Sequence, residues 1–452
     1  MTRPILHKLS AGEEIRNIYE EYRNRGLRYA GMYILTKPVL LVFEPELIKN
    51  IFTRDFQYFT DHGSYLNEKV DPLSGQLFNM KGLKWKNLRA KLTPTFTSGK
   101  MKMMFQTLVD CSYELINVMD KVSRKNKALD IKDIVARFTI DIIGSCAFGI
   151  ECNSLKNPNS EFRNYGKKVF EVKGFQAIKT MLAFTSPQIL QFFNIPVNGE
   201  DVTNFFLNVV EETVNYRESN NIGRKDFMHL LIQLKNNIKI EEEQNDNLKQ
   251  MNGGAGFETS STTLTFCFYE LATNPDVQDK LRQEITHVLD KYDGKLTYEA
   301  IMEMTYMDKC VYETLRKYPP VFFLTRQCNT PYKVPESDLT IENGTMVIIP
   351  IFGIQRDPEY YPNPDKFDPE RFSPGNKAKR HAFTWLPFGE GPRECIALRF
   401  GLLQVKVALV ALLKTYKYTL NSRTKLPLLF DPRAFALAVE GNVWLNSEKL
   451  TK

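Results

Sequence analysis

Hydrophobic and polar residues alternate near the start of the chain. Between positions 32 and 43, Tyr, Ile, Leu and Val residues recur with a period close to two, inside a segment that spans 27–60. Alternation of this kind is typical of half-buried strands. The pattern therefore predicts a short β hairpin, followed by a helix that begins at about Glu44.

The middle of the chain follows a helical period instead. From about 84 to 289, apolar residues recur three and four positions apart among strong helix formers. After Lys317, closely spaced prolines indicate short strands and loops. A final helix is predicted at about 396–415, and a terminal strand pair at about 435–445.

Composition indicates that these elements form one globular protein. We expect a single domain over 1–452 that is mainly α, with small β-rich parts at about 27–45, 320–350 and 433–446. Hydrophobic residues make up 43% of the chain and charged residues 25%, which is ordinary for a globular protein. The first residues are polar and charged, so the sequence predicts no N-terminal membrane anchor.

Charge and cysteine content narrow the possible partners and metals. The net charge of +7 is spread along the chain, so it gives no nucleic-acid signature. It fits solvated lysines, or a basic face for an acidic partner or an anionic membrane surface. The seven cysteines contain no C-x-x-C pair, which argues against a zinc site or a disulfide framework.

The strongest candidate for chemistry lies around Cys395. Phe388, Gly391 and Arg393 precede the cysteine, and a predicted helix follows it. A thiolate at this place could ligate haem iron, because a metal charge and a helix N-terminus both lower a thiol pKa. The glycine would allow close backbone approach, Phe388 would shield the sulfur, and Arg393 would bind a propionate. The alternative is an ordinary buried cysteine after a glycine turn.

These residues resemble the F-x-x-G-x-R-x-C-x-G motif of the cytochrome P-450 superfamily, with Ala397 in the last place. The resemblance covers essentially the whole chain and is closest to insect microsomal family-six-type enzymes. It implies the cytochrome P-450 fold, haem b with Cys395 as its axial iron ligand, and monooxygenase activity. It also implies an NADPH-cytochrome reductase as electron donor, a cytochrome b-type donor as a second source, and the cytosolic face of the endoplasmic reticulum membrane.

A second motif supports the same family. Glu313-x-x-Arg316 lies on a predicted helix, where the spacing of three places both side chains on one face. The resemblance adds Arg371, from the segment Pro-Glu-Arg-Phe, as the third member of a structural Arg-Glu-Arg network.

Further residues are expected to bind the cofactor. Trp85 and Arg89 lie one helical turn apart, and the resemblance places both at a haem propionate, together with Arg326. Taken alone, the Trp85 and Arg89 pair also fits an amphipathic surface helix. Many relatives have an arginine where this chain has His62, which predicts a weaker contact there.

The segment 255–263 matches the family's oxygen-activation motif. A threonine hydroxyl within a helix can bond a backbone carbonyl and loosen the helix locally. The resemblance then implies that Ala255 and Gly256 border the cofactor, that Thr259 hydrogen-bonds dioxygen, and that Glu258 helps to deliver protons. Without the cysteine motif, Glu258 would be read as a solvated residue at a Ser/Thr-rich helix start.

Two departures from the family pattern matter for function. The apolar segment 177–197 is too polar to span a bilayer but could enter a membrane interface, or could form ordinary core helices. The residues at 241–254 are polar and end in two glycines, so we expect a shortened central helix and a more open or damaged substrate pocket.

The sequence leaves more than one function open. The favoured reading is insertion of one atom of dioxygen into a lipophilic small molecule, either a xenobiotic or an endogenous hormone or lipid. The alternative is a non-catalytic protein that binds haem or a hydrophobic ligand, motivated by the altered segment at 241–254. A haem-thiolate isomerase or dehydratase is a third reading, which the Glu258 and Thr259 pair disfavours.

Overall fold

Helices dominate the computed structural model, which describes residues 9–124, 128–170, 174–237, 254–434 and 436–450. The helices of the first half are α1 Ala11–Asn24, α2 Pro45–Lys49, α3 Gly82–Leu92, α4 Ser98–Ser123, α5 Ile131–Ile143, α6 Glu161–Phe170, α7 Phe175–Thr185, α8 Pro187–Phe192, α9 Glu200–Ser219 and α10 Phe227–Asn237. Those of the second half are α11 Gly254–Thr273, α12 Pro275–Lys291, α13 Tyr298–Glu303, α14 Thr305–Lys317, α15 Ile351–Ile354, α16 Pro374–Ala378 and α17 Leu398–Leu413.

The strands form small sheets beside this helical body. They are β1 Tyr29–Ile34, β2 Lys37–Val42, β3 Leu129–Asp130, β4 Leu324–Gln327, β5 Tyr332–Lys333, β6 Thr340–Ile341, β7 Met346–Ile349, β8 Tyr416–Leu420 and β9 Trp444–Lys449. The largest sheet has the order β1-β2-β7-β4, in which β2 and β7 are parallel and the other pairs antiparallel. The predicted fold class, mainly α with a small β-rich part, is confirmed.

The predicted N-terminal hairpin and the following helix lie where the alternation placed them. Tyr29 pairs with Val42 at the open end of the hairpin, and Ile34 pairs with Lys37 at its turn. Helix α2 begins at Pro45, directly after Glu44. Strand β2 lies between β1 and β7 in this sheet, and its residues 39–42 are all buried in the smaller hydrophobic core.

The terminal strand pair is not where the sequence predicted it. The last strand begins at Trp444, and its antiparallel partners are β8 and β3, not a neighbour within 435–445. A single bridge joins Phe430 to Val439. The prediction was wrong in the position of the strand and in its partner, because a local pattern can identify a strand but not a partner distant in sequence.

Two helices cross the centre of the larger hydrophobic core. Helix α17 is apolar on all sides and is buried at most of its positions, as expected for a helix surrounded by other elements. Helix α11 packs against α5, α14 and α17. The core thus holds the helix that carries Glu258 and Thr259 against the helix that follows Cys395.

The altered segment at 241–254 lies, except for its last residue, outside the described residues, and the described part of the central helix begins at Gly254. A shortened helix and an open pocket therefore stay predictions. Among the described residues, no helix combines the length and the apolar character needed to cross a bilayer.

Candidate haem site

The loop before Cys395 is shaped by glycines in the left-handed region. Gly389 has φ 71° and Gly391 has φ 74°. A Cβ added at Gly391 would lie 2.0 Å from the carbonyl oxygen of Phe52, so only glycine fits against this backbone. The Cys395 amide donates to the Phe388 carbonyl at 2.9 Å and closes the turn just before α17. Local backbone geometry thus positions the cysteine.

The Cys395 sulfur lies in an environment that keeps it a thiol in the absence of a metal charge. Part of Cys395 is accessible to solvent, yet many protein atoms surround its sulfur. The resulting desolvation raises the pKa of the thiol. The Ala397 backbone and the charge of Arg89 act in the opposite direction and only partly offset burial. A coordinated metal ion would deprotonate such a thiol outright.

A buried guanidinium lies near this loop with few partners of its own. Arg326 is fully buried, with its Cζ 4.4 Å from the centre of the Phe52 ring. Its Nη1 donates to the Thr325 carbonyl at 2.8 Å and lies 3.2 Å from His62 Nδ1. Burial and the nearby charge of Arg393 lower the pKa of Arg326 to about 9. Its Nε has no hydrogen-bond partner among the described residues.

His62 is a neutral neighbour of this arginine. Its ring stacks on Phe78 with centroids 4.1 Å apart, and its Nδ1 lies 3.0 Å from the Thr325 carbonyl oxygen. Burial, Arg326 and Arg393 hold the pKa of His62 well below its usual range. The imidazole therefore adds no positive charge beside Arg326.

Arg393 fastens the cysteine loop to the segment around position 61. Its Nε donates to the Thr60 carbonyl at 2.8 Å, its Nη2 donates to the Met80 carbonyl at 2.7 Å, and Nη2 lies 3.3 Å from Asp61 Oδ1. Its Cζ lies 3.9 Å from the centre of the Trp85 ring. Burial lowers the pKa of Arg393 to about 10 despite Asp61.

The sequence analysis did not identify Asp61. Besides approaching Arg393, the carboxylate accepts a hydrogen bond from the Gly82 amide at 2.9 Å, where α3 begins. The sequence indicates Asp61 only weakly, because its one distinguishing feature is its position next to His62.

These groups fit the haem that the sequence resemblance implies. The buried Nε–H of Arg326 has no partner in the part of the chain that the structure describes, and an anionic propionate would satisfy it and compensate the buried charge. Trp85 and Arg89 share a face of α3, and Arg89 Nη1 donates to the Glu394 carbonyl at 2.7 Å beside the cysteine. The half-buried Phe388 packs on Trp385 next to the thiol. The arginines suit anionic substituents, the aromatic side chains suit a flat apolar ring system, and the thiol suits a metal that binds sulfur.

We expect Arg326→Met to weaken haem retention. Hydrogen bonds to charged groups contribute about 1.5–3 kcal/mol, so the rate of haem transfer to an excess of apomyoglobin should rise roughly ten- to a hundredfold. Arg433→Met is the matched control, because Arg433 is exposed and pairs with Asp431, two positions before it. Equal transfer rates for the two variants would contradict this role for Arg326.

Helix α11 carries the predicted oxygen-activating residues. Glu258 is largely enclosed by protein, and burial raises the pKa of its carboxyl, while Lys132 and Lys167 act in the opposite direction. The Thr263 hydroxyl donates to the Thr259 carbonyl at 2.8 Å, a side-chain bond of the kind that loosens a helix. A Cβ at Gly256 would lie 3.1 Å from Ile143 Cδ1, so this glycine lets α11 approach α5 closely. Ala255 belongs to the same turn, and its side chain lies outside the described part.

The structure brings Glu313, Arg316 and Arg371 together behind the site. Arg316 Nε and Nη2 donate to the two Glu313 carboxylate oxygens at 2.7 and 2.9 Å, and both side chains are fully buried. Arg371 Nε lies 3.4 Å from Glu313 Oε1. Further donors of Arg316 bind the Gln355 and Pro364 carbonyls at 3.0 and 2.7 Å. The network thus joins α14 to the loop ahead of the cysteine segment.

Comparison with known proteins agrees with this geometry. The family model for cytochrome P450 matches residues 4–445. The chain is 42% identical to cytochrome P450 6a2 of Drosophila melanogaster, over 96% of this chain and 88% of that protein. It is also 42% identical to cytochrome P450 6k1 of Blattella germanica, over 99% of this chain and 89% of that protein. The chain therefore belongs to the cytochrome P450 family of haem-iron monooxygenases.

Proposed function

We propose that this P450 inserts one atom of dioxygen into a lipophilic small molecule, a xenobiotic or an endogenous hormone or lipid. The observation that carries the proposal is the Cys395 thiol in a glycine turn near the buried Arg326, whose Nε–H finds no acceptor within the described ranges. Haem b, held by Cys395, would supply reductive activation of dioxygen and release of the second oxygen atom as water. Electrons would come from NADPH through a flavoprotein reductase or from a cytochrome b-type donor.

The protein's own residues would hold the cofactor and move protons. Arg326, Arg89 and Arg393 would supply the positive charge that matches the propionates. Phe388 would exclude water from the sulfur. Glu258, with its raised carboxyl pKa, can hold a proton on its carboxyl oxygen and pass it towards the Thr259 hydroxyl.

The test is the absorption spectrum of the dithionite-reduced protein with carbon monoxide, with Cys395→Ser as the control. A strongly red-shifted Soret band in the wild type that is absent from the serine variant is expected for thiolate-ligated haem. Product formed from a panel of lipophilic ethers should then require both NADPH and reductase. A normal band without product would instead support a non-catalytic binding protein.

The family suggests attachment to the cytosolic face of the endoplasmic reticulum membrane, and an exposed apolar surface supports contact with a membrane. Phe175 on α7, Phe192 at the end of α8, and Phe193 just after it are 67, 80 and 65% exposed. Neighbouring Ile178 and Ile189 are exposed as well. Large exposed apolar patches mark interaction sites, and an interfacial patch of aromatic residues suits the acyl-chain boundary.

We expect the double substitution Phe192→Ser and Phe193→Ser to weaken binding to phospholipid vesicles by at least about tenfold, since burying one such side chain contributes about 1.5–3 kcal/mol. Sedimentation with sucrose-loaded vesicles measures this. Tyr113→Ser on α4, another exposed aromatic residue, is the control. Equal sedimentation of the double variant and the control would exclude the patch as the attachment site.

A further inference from the structure

A small hydrophobic cluster joins α7 and α8 to a segment far away in sequence. Its buried members are Ala183 of α7, Leu190 of α8 and Tyr65, and it is separate from the two larger cores. The Tyr65 amide donates to the Ala183 carbonyl at 2.9 Å, and the Tyr65 hydroxyl donates to the Ile195 carbonyl at 3.0 Å. The helices that carry the exposed aromatic patch therefore pack on the segment around Tyr65.

A buried carboxylate fastens the turn that follows α8. Asp71 accepts hydrogen bonds from the Val197 amide and the Asn198 amide, both at 3.0 Å. The side-chain Nδ2 of Asn198 donates to the same carboxylate at 3.0 Å. Hydrogen bonds to an ionised acceptor are stronger than neutral ones, so this turn is firmly held. We call Asp71 with these donors the Asp71 clamp.

The same stretch of chain is bound to the candidate haem site at both of its ends. Arg393 of the cysteine loop donates to the Thr60 carbonyl at 2.8 Å and to the Met80 carbonyl at 2.7 Å. Asp61 Oδ1 also lies 3.3 Å from Arg393 Nη2. Residues 60–80, the bridging segment, thus contact both the helices of the patch and a residue of the cysteine loop.

Hydrogen bonds inside the bridging segment keep it compact. Ser64 Oγ donates to Asn79 Oδ1 at 2.8 Å, and Asn79 Nδ2 donates to the Ser74 carbonyl at 3.0 Å. Ser74 Oγ accepts from the Asn67 amide at 2.9 Å and donates to the Asp71 carbonyl at 2.7 Å. Networks of this kind can carry energetic coupling between two sites. Order imposed at the Asp71 clamp therefore extends towards the end that Arg393 holds.

We propose that the Asp71 clamp couples membrane contact to haem retention. A bilayer that holds the apolar patch would stabilise the bridging segment, and the bridging segment would then hold the haem more firmly. The inference rests on the proposed function for both the bilayer and the haem. Coupling of this kind is reciprocal, so the haem-loaded protein should also bind vesicles more tightly than the haem-free protein.

The test is the rate of haem transfer from the holoprotein to an excess of apomyoglobin, with and without phosphatidylcholine vesicles. We expect vesicles to slow the transfer from the wild type by at least about threefold, a modest coupling between two sites. Asp71→Ala should transfer haem at one rate in both conditions, because its patch still binds lipid but is no longer clamped to the bridging segment.

Asp110→Ala is the matched control. Asp110 is exposed on α4 and accepts a hydrogen bond from Gln106 one turn away. This variant should respond to vesicles as the wild type does. Because haem that has left the protein partitions into lipid equally for every variant, a difference between the two aspartate variants reports the clamp itself.

A second substitution at the clamp guards against a general loss of folding. Asp71→Asn keeps the size of the side chain, but one acceptor oxygen becomes an N–H donor that faces another N–H donor. It should therefore lose most of the response to vesicles. The urea midpoint of unfolding and the reduced carbon monoxide spectrum report the fold and the haem site of each variant.

Two results would overturn the proposal. One is a vesicle-bound wild type that transfers haem as fast as it does in free solution. The other is an equal response to vesicles in Asp71→Asn and Asp110→Ala. Sedimentation with the vesicles reports attachment separately, so a wild type that does not sediment would contradict the membrane patch as well as the coupling. The carbon monoxide spectrum is independent of both, and a failure here leaves the monooxygenase proposal untouched.

Discussion

Glu313→Ala should destabilise the protein by about 3–5 kcal/mol, which is a large share of the stability of a typical domain. The reason is that, among the described residues, Glu313 is the carboxylate that pairs with the fully buried Arg316, and Arg371 approaches the same carboxylate at 3.4 Å. Removing the carboxylate strands both guanidiniums and also the Asp368 amide, which donates to Glu313 at 3.0 Å. The measurement is the urea midpoint of unfolding, followed by circular dichroism.

Two further variants show whether the effect comes from the buried charge. Glu313→Gln keeps the shape but not the charge, so its midpoint should fall between those of the wild type and Glu313→Ala. Glu20→Ala removes a helix-surface partner of Arg16 and should cost no more than about 0.5 kcal/mol. If Glu313→Ala unfolded at the same urea concentration as Glu20→Ala, the network would have no stabilising role.

Glu258→Gln should lower turnover by roughly a hundredfold, the usual contribution of a positioned proton donor. The amide keeps the size and polarity of the side chain but cannot release a proton to the Thr259 hydroxyl. Glu258→Asp, which keeps a carboxyl group, should retain more activity than the glutamine variant. Product formed per haem per minute, at saturating NADPH and reductase, measures the effect.

The same variant makes the pH dependence testable. The folded carboxyl pKa of Glu258 is raised above its ordinary 4.5, so the protonated form is favoured in the folded protein. The protonated fraction, and with it the ratio of wild-type to Glu258→Gln turnover, should fall as pH rises through that raised pKa. The stability that Glu258 contributes is likewise fully present below about pH 4.5 and is lost as pH rises through the folded pKa. A ratio that did not change with pH would argue against proton transfer by Glu258.

Local sequence spacing identified the parts of the site that depend on short-range geometry. The glycine turn before Cys395 and the pair Glu313 and Arg316 each lie within one turn or one helical face. The hairpin at β1 and β2 was equally local. In such segments residue type and spacing determine the structure, so they could be predicted before any tertiary contact was known.

Contacts between distant segments could not be predicted in this way. The sequence around Gly391 does not indicate that its backbone lies against the carbonyl of Phe52. The sequence around Asp61 likewise does not indicate that its carboxylate lies near Arg393. The partner of the last strand has the same origin. These features arise from packing, which a pattern along one segment does not contain.

The contacts that hold the cysteine loop determine when, during synthesis of the chain, the cofactor site can form. Arg393 and Thr60 are 333 positions apart, and Arg89 and Glu394 are 305 apart. Contacts that close such long loops form late, because chain entropy must be lost before they form. A ribosome-bound chain that ends before the cysteine loop therefore lacks Cys395. It also lacks Arg393 and Glu394, which contact Trp85 and Arg89 in the folded protein. Cofactor loading through the Cys395 ligand must accordingly wait until the cysteine loop has been translated.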